Sequence, residues 1–401
     1  MRMKRGSLIL FLIFALITFS FAERTLQIWA MGEEAKNLNV MAEKFMKENP
    51  GVKVEIQAIP WSAAYDKILT GIAGMQLPDL AQMGTTWMAP FGSMGVFEEL
   101  SSYMRDSFIS KDIFFEGSWQ TVELNGGIYG IPWYVDVRVM FYRTDVLKEV
   151  GYDHAPQTWE ELYDAAKKLA ARGENMYGVS LLYTGVFGNE FMPFAWQAGG
   201  RIFDEKGNVR VTDPEFVEAI EYYARFFWEE LAPMGGGNLF QDFASGAVPI
   251  FFSGPWMVNM IDQQTPEIKG KWSVALMPKK KTRTSFVGGS NWVIFNTSRN
   301  KDLAWKFIEF MTRPENQLEW YEIVGSLPAV KSVWEYPELA NDPIMKVFGE
   351  QLKDAKSPPN IPQWEEIANA ISRRVEEVIY KKKTPQKAAE ALKKDIEKIV
   401  K

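Results

Sequence analysis

Carboxylates, flat aromatic rings and little else make up the reactive inventory of this 401-residue chain. There is no cysteine, which excludes disulfides, thiolate metal sites and cysteine nucleophiles. The single histidine, His154, rules out multi-histidine metal sites and makes any Ser-His-Asp triad depend on that one residue. Fifteen tryptophans, in a chain that is 14% aromatic, are the unusual feature. Such an excess serves a core, and it equally serves stacking on the C–H faces of pyranose rings. Glu33, Glu34 and Asp136 can each accept from two hydroxyls at once, and charge-assisted bonds are the strong ones. On composition alone the same carboxylates would supply the facing pair of a secreted glycoside hydrolase. Asp204 and Glu205 lack the full spacing of a calcium loop and read as a turn. Gly235-Gly236-Gly237 has no following Lys-Ser or Lys-Thr and is not a phosphate loop.

The elements that must position these groups follow a leader. Arg2, Lys4 and Arg5, the apolar run Leu8–Phe19 and the small residues Ser20 and Ala22 read as a cleaved secretory signal over 1–22. The chain from Glu23 onward holds 42 basic and 51 acidic residues, a net charge of −9. That acidity disfavours nucleic acid as a partner. With no cysteine for a lipid anchor, the expected location is free in the periplasm. Thr25–Ala30 reads as a buried strand, and Leu38, Met41, Ala42, Phe45 and Met46 recur at helical spacing. A second strand at Val52–Ile56, a helix at about Trp61–Gly74 and a third strand after Pro78-Asp79 continue the alternation, which predicts a doubly wound, mainly parallel sheet. Thr158 with Glu161 reads as a capping box, Tyr177–Leu182 as a strand, Phe203–Val209 as a hairpin turn and Asp213-Pro214 as a helix start.

Several segments, in order, resemble the extracellular solute-binding proteins of ABC importers, in the group that includes maltose-binding protein. They are Leu77-Pro78-Asp79-Leu80 through Trp87 to Gly95–Leu100, Gly130–Asp136 with Met140–Asp145, and Thr158-Trp159-Glu160-Glu161-Leu162. Phe252-Ser253-Gly254-Pro255-Trp256, Gly288-Gly289-Ser290-Asn291-Trp292, Ala304–Ile308 with Gly325–Pro328, and Pro359–Trp364 complete the series. The resemblance covers the whole chain after the leader. It implies a two-lobed α/β periplasmic-binding-protein fold, each lobe a doubly wound, mainly parallel sheet flanked by helices, with three crossovers. The lobes would be 23–134 plus 287–325, and 135–286 plus 326–401, with ligand in the cleft between them.

The resemblance also implies the site. Glu33 and Glu34 follow the first strand, where the family places polar contacts, and Thr85, Thr86 and Trp87 follow the third. Asp136 stands where sugar receptors of this group carry an acidic contact, flanked by Trp133 and Tyr134. Trp256 is a sugar platform in the family; Gly289, Asn291 and Trp292 lie in the second crossing. Trp364 is a further candidate, although the maltose-binding version places its aromatic where this chain has Ala368. The implied function is capture of a di- or oligosaccharide, maltose- or trehalose-like, with delivery to membrane permease subunits by lobe closure. No cofactor, no metal and no catalysis are expected, and a monomer is. A binding protein for glycerol phosphate or a polyamine is the rival reading, with a glycoside hydrolase behind it. A phosphate would need an Arg or a helix N-terminus in the cleft, and Arg138 is the basic residue near the proposed site.

Overall fold

A computed structural model describes residues 24–185, 187–235 and 237–401. The expected leader at 1–22 lies outside them, as does Gly236. The strands are β1 (Arg24–Met31), β2 (Val52–Ile59), β3 (Leu80–Gly84), β4 (Glu123–Leu124), β5 (Gly127–Ile128) and β6 (Ile131–Val137). They continue as β7 (Val139–Arg143), β8 (Ile250–Ser253), β9 (Trp272–Ala275), β10 (Ser285–Ile294), β11 (Leu327–Pro328) and β12 (Ala355–Lys356). The main sheet runs in the order β11-β6-β10-β3-β1-β2, with β12 against the start of β10. β1 is buried along most of its length and pairs in parallel with β2 and β3. The helices Gly32–Glu48 and Trp61–Ala73 form the two crossovers, as the apolar spacing predicts.

The other half of that sheet departs from the mainly parallel expectation. β10 is antiparallel to both β3 and β6, and β11 is antiparallel to β6. The second sheet, β8-β7-β9, is antiparallel throughout. The physical reason is the route of the chain. β6 and β7 are separated by Arg138 alone, so one nearly continuous run serves both sheets. β10 starts against β12 and continues between β6 and β3. Two hydrophobic cores result. One holds Leu26, Ile28, Phe45, Trp133, Trp292 and Trp320, and the other holds Trp159, Phe194, Tyr223, Trp364 and Ile371.

The helix Trp159–Ala170 is capped as its sequence indicates. Glu161 N–H donates to Thr158 Oγ1 at 3.2 Å, and the Glu161 carboxylate accepts from Gln157 N–H at 2.7 Å. Phe203 and Val209 bridge across a turn in which the Asp204 carboxylate accepts from the Lys206 and Asn208 N–H groups. Tyr177–Leu182 forms no regular strand. Gly178 N–H turns aside to Leu231 C=O, which leaves a single bridge, Ser180 to Phe251.

Where β10 passes β6 the register shifts between Ser290 and Asn291, a bulge that re-aims the side chains on either side of it. Gly289 just before it has φ +116°, and a Cβ there would collide with the Tyr134 carbonyl. Gly289→Ala is therefore expected to cost about 2–3 kcal/mol of stability in a urea melt. A loss below about 0.5 kcal/mol, the ordinary scale for an unconstrained surface position, would show that the crossing relaxes freely.

Candidate functional site

The carboxyl ends of β1, β2 and β3 open onto the segment where β6, β7 and β10 pass between the two cores. Gly32, at φ +65°, turns the chain from β1 into the first helix, and a Cβ there would lie 2.6 Å from Trp61 Nε1 and 3.1 Å from Glu34 Oε2. Trp61 follows β2 directly because Pro60 ends the strand and caps the next helix. Trp61 meets Trp87 edge to face at 5.4 Å, and Trp87 in turn meets Tyr65 at 5.5 Å. These rings form an aromatic wall on the first core.

Glu34 lies at the floor. It accepts from Ser326 Oγ at 3.1 Å and from the Tyr134 hydroxyl. Tyr134 is aimed by a buried network: Gln82 Nε2 and Ser290 Oγ each donate to its oxygen at 3.1 Å, while Gln82 Oε1 accepts from Met31 N–H at 2.6 Å. With both lone pairs so occupied, the hydroxyl proton is directed to Glu34. Burial pushes the Tyr134 hydroxyl well above the ordinary phenol range, so it stays a donor.

Asp136, two residues further along β6, pairs with Arg138. A Cβ at Gly288 opposite would come within 2.9 Å of both Asp136 oxygens and so displace the carboxylate. The Arg138 guanidinium lies over the Trp256 ring at 4.7 Å and over Phe286 at 5.3 Å. Trp256 opens the helix Trp256–Gln264 after the Gly254-Pro255 turn, and its indole folds back across Gly254, where any side chain would collide with it. It is 41% exposed, and Trp61 is 38% exposed. They are the exposed tryptophans among the described residues, and both border this cleft.

Two acidic groups that the sequence did not single out complete the site. Glu190, from the helix Gly188–Ala198, feels Arg138 and Asp136. Glu365, at the start of the helix Trp364–Ile379, hydrogen-bonds Thr86 from across the cleft. Burial raises Glu34, Glu190 and Glu365 above the ordinary carboxylate range. A carboxyl raised in the folded state binds its proton more tightly there than in the unfolded chain. Its contribution is therefore present at low pH and is lost as pH rises through the raised value. Glu190→Gln is accordingly expected to raise the stability of the unliganded protein at pH 7 and to flatten its decline between about pH 4.5 and 7. Urea melts across that range check it, and an unchanged slope would contradict it.

The expected site residues thus separate. Glu34, Thr86, Trp87, Tyr134, Asp136, Trp256 and Gly289 gather at the cleft. Glu33 points outward and pairs with Lys36. Thr85 is buried. Trp133, Asn291, Trp292 and Trp364 are buried. Trp133 is buried with Trp292 at 4.1 Å and Trp320 at 5.1 Å, all three stacked. Asn291 is buried and donates to Thr121 Oγ1 at 3.0 Å. Trp364 lies in the second core and donates to Asn189 Oδ1 at 3.2 Å. The bulge explains the first case: Ser290 pairs with Tyr134 and Asn291 with Pro132, so Trp133 is the extra residue on β6, and its ring lies 5.3 Å from that of Tyr134, packed inward against Trp292 and Trp320. Along β10 ordinary alternation separates the next pair, with Ser290 in the cleft-floor network and Asn291 on the opposite face, bonded to Thr121.

Arg138, the cation nearest these groups, is committed to Asp136. Among the described residues no cluster of metal-binding side chains occurs, and no helix is long and apolar enough to cross a membrane.

The chain is similar over most of its length to known proteins. The maltotriose-binding protein of Pyrococcus abyssi is 27% identical over 370 residues, spanning 90% of this chain and 76% of that one. Among solved structures, the sugar-binding protein MalE of Xanthomonas citri superposes with a TM-score of 0.88 at 32% identity, covering 94% of this chain and 97% of that one. A Thermotoga lettingae ABC transporter solute-binding protein bound to α-D-tagatose superposes at 0.82 with 29% identity, covering 94% and 100%. These relatives are binding proteins, not enzymes. The family model for bacterial extracellular solute-binding proteins matches residues 31–318, and the chain, with its two α/β lobes of the MalE-like kind, belongs to that family.

Proposed function

We propose that this protein is the substrate-binding component of an ABC sugar importer and holds a di- or oligosaccharide in the cleft between Trp61 and Trp256. The carrying observation is that two partly exposed indoles border a cleft otherwise set with carboxylates. Flat rings match the C–H faces of pyranoses, and Glu34, Asp136, Glu190 and Glu365 accept from their hydroxyls. The relatives' names agree: one binds maltotriose, another is a sugar-binding protein. An anionic ligand such as glycerol phosphate fits poorly, because Arg138 already serves Asp136. The facing carboxylates belong to a family of binding proteins, so hydrolysis is not part of this reading.

The remaining assignments are part of the same proposal. Residues 1–22 are removed as a secretory leader, and the protein works as a monomer in the periplasm, handing its sugar to membrane permease subunits. The lobes comprise 23–134 plus 287–325, and 135–286 plus 326–401, and bend about 131–136, 286–290 and 314–328. Ligand contacts both lobes only when they close, so binding shifts an open–closed equilibrium. A thermal-shift panel of maltose, maltotriose, trehalose, sucrose and longer oligosaccharides is the first test. A ligand at 100 times its Kd adds about 2.7 kcal/mol of stability. Small-angle scattering with the best sugar at saturation is then expected to show a smaller radius of gyration. An unchanged profile at full occupancy would point to a rigid, preformed cleft.

A further inference from the structure

We propose that Arg138 is a positioning residue of the cleft: from the crossing itself, its guanidinium clamps the Trp256 ring and the Asp136 carboxylate into the arrangement that a sugar ring meets. The inference rests on the sugar-binding reading and adds to it the group that organises the site.

Three observations carry it. The first is where Arg138 stands. It is the one residue between β6 and β7, its N–H donates to Phe286 C=O at 3.4 Å, and its carbonyl accepts from Ser285 Oγ at 2.6 Å. The base of the side chain is therefore tied to both crossing strands. The second is what the guanidinium does. It pairs with Asp136 while lying over both Trp256 and Phe286, and the two charged side chains are each only 17% exposed. A guanidinium suits this because it is planar and weakly hydrated, and it combines carboxylate pairing with ring stacking in a way that an ammonium does not. The third is what Trp256 lacks. Its indole is 41% exposed and rests on a glycine, so Arg138 supplies much of what fixes its orientation.

The same geometry gives the cleft its selectivity. Asp136 pairs with the guanidinium and Glu190 feels its charge, so that charge is consumed before any ligand arrives. An incoming anion would meet carboxylates with no cation to spare, whereas an uncharged polyhydroxyl ring meets acceptors and a fixed stacking face. Ordering that face in advance reduces what binding must otherwise order.

The test is a calorimetric double-mutant cycle on the mature chain, with the panel sugar that gives the largest thermal shift. Arg138→Met is expected to weaken binding about tenfold or more, and Arg138→Lys, which keeps the partner for Asp136 but not the planar stack, to recover part of the loss. In a Trp256→Ala background the Arg138→Met effect is expected to shrink to about threefold or less, because only the part of the clamp that acts through Asp136 remains. Urea melts of each variant confirm that the measured species is folded, and Arg138→Lys keeps the test decisive if Arg138→Met does not fold. Wild-type affinity in Arg138→Met, a loss of equal size with and without Trp256, or no difference between the Lys and Met variants would overturn the assignment of Arg138 alone. A wild-type protein that binds no sugar of the panel would instead overturn the reading beneath it.

Discussion

Trp256→Ala is expected to weaken sugar binding by roughly 1–3 kcal/mol, the range for removing a central aromatic contact, while changing unfolding stability by less than about 1 kcal/mol. The separation follows from where the ring lies. Its indole is partly open to solvent, backed by Gly254 and covered by Arg138, so little apolar area is lost to water when it is removed. What disappears is the flat face offered to the ligand. Calorimetry with the panel sugar and a urea melt without it read the two quantities independently. A loss of about 3–5 kcal/mol in stability, the cost of truncating a core aromatic, with affinity unchanged in the folded remainder, would make Trp256 structural and remove the platform.

Trp133→Ala is expected to show the opposite pattern, although it lies one residue from the cleft-facing Tyr134. Trp133 packs between Trp292 and Trp320, and the indole N–H groups of all three find no protein acceptor, so ring packing rather than hydrogen bonding holds them. Truncation opens a void where three elements meet: β6, β10 and the helix Pro314–Val324. The expected cost is about 3–5 kcal/mol in a urea melt. A loss below about 1 kcal/mol accompanied by abolished sugar binding would contradict it and return the ring to the ligand.

These two tryptophans show what the sequence made legible. Trp256 could be placed because a local signal fixes it: a buried strand, then Gly254-Pro255, then a helix start. The first three strands and two helices were readable for the same reason, since each has its own apolar period and its own stop. A motif match names a segment and neither the face nor the depth of each side chain, so it did not separate the buried Trp133, Asn291 and Trp292 from their neighbours at the cleft. The face is decided by strand alternation and by a bulge that exists only once β10 lies against β6. The burial of Trp364 was not legible because the packing of its helix against the second core is a long-range fact. Glu190 and Glu365 were invisible for that reason too: each opens a helix whose approach to the cleft no local pattern announces. Trp61 carried a usable signal, a large ring directly after Pro60 at the carboxyl end of a parallel strand, the edge where α/β sheets hold ligands. The strand directions were misjudged because an apolar run does not state its partner's direction, and β6 and β10 obtain theirs from crossing between sheets.

The central claim is that the cleft binds sugar and leaves it unchanged. Isothermal calorimetry of the mature chain with maltose, maltotriose and trehalose, followed by chromatography of the recovered sugar, tests it most directly. Saturable one-to-one binding of at least one of them is expected, with the sugar recovered intact after long incubation. Absence of binding across these and longer oligosaccharides, or steady hydrolysis that disappears in an Asp136→Asn variant, would contradict it.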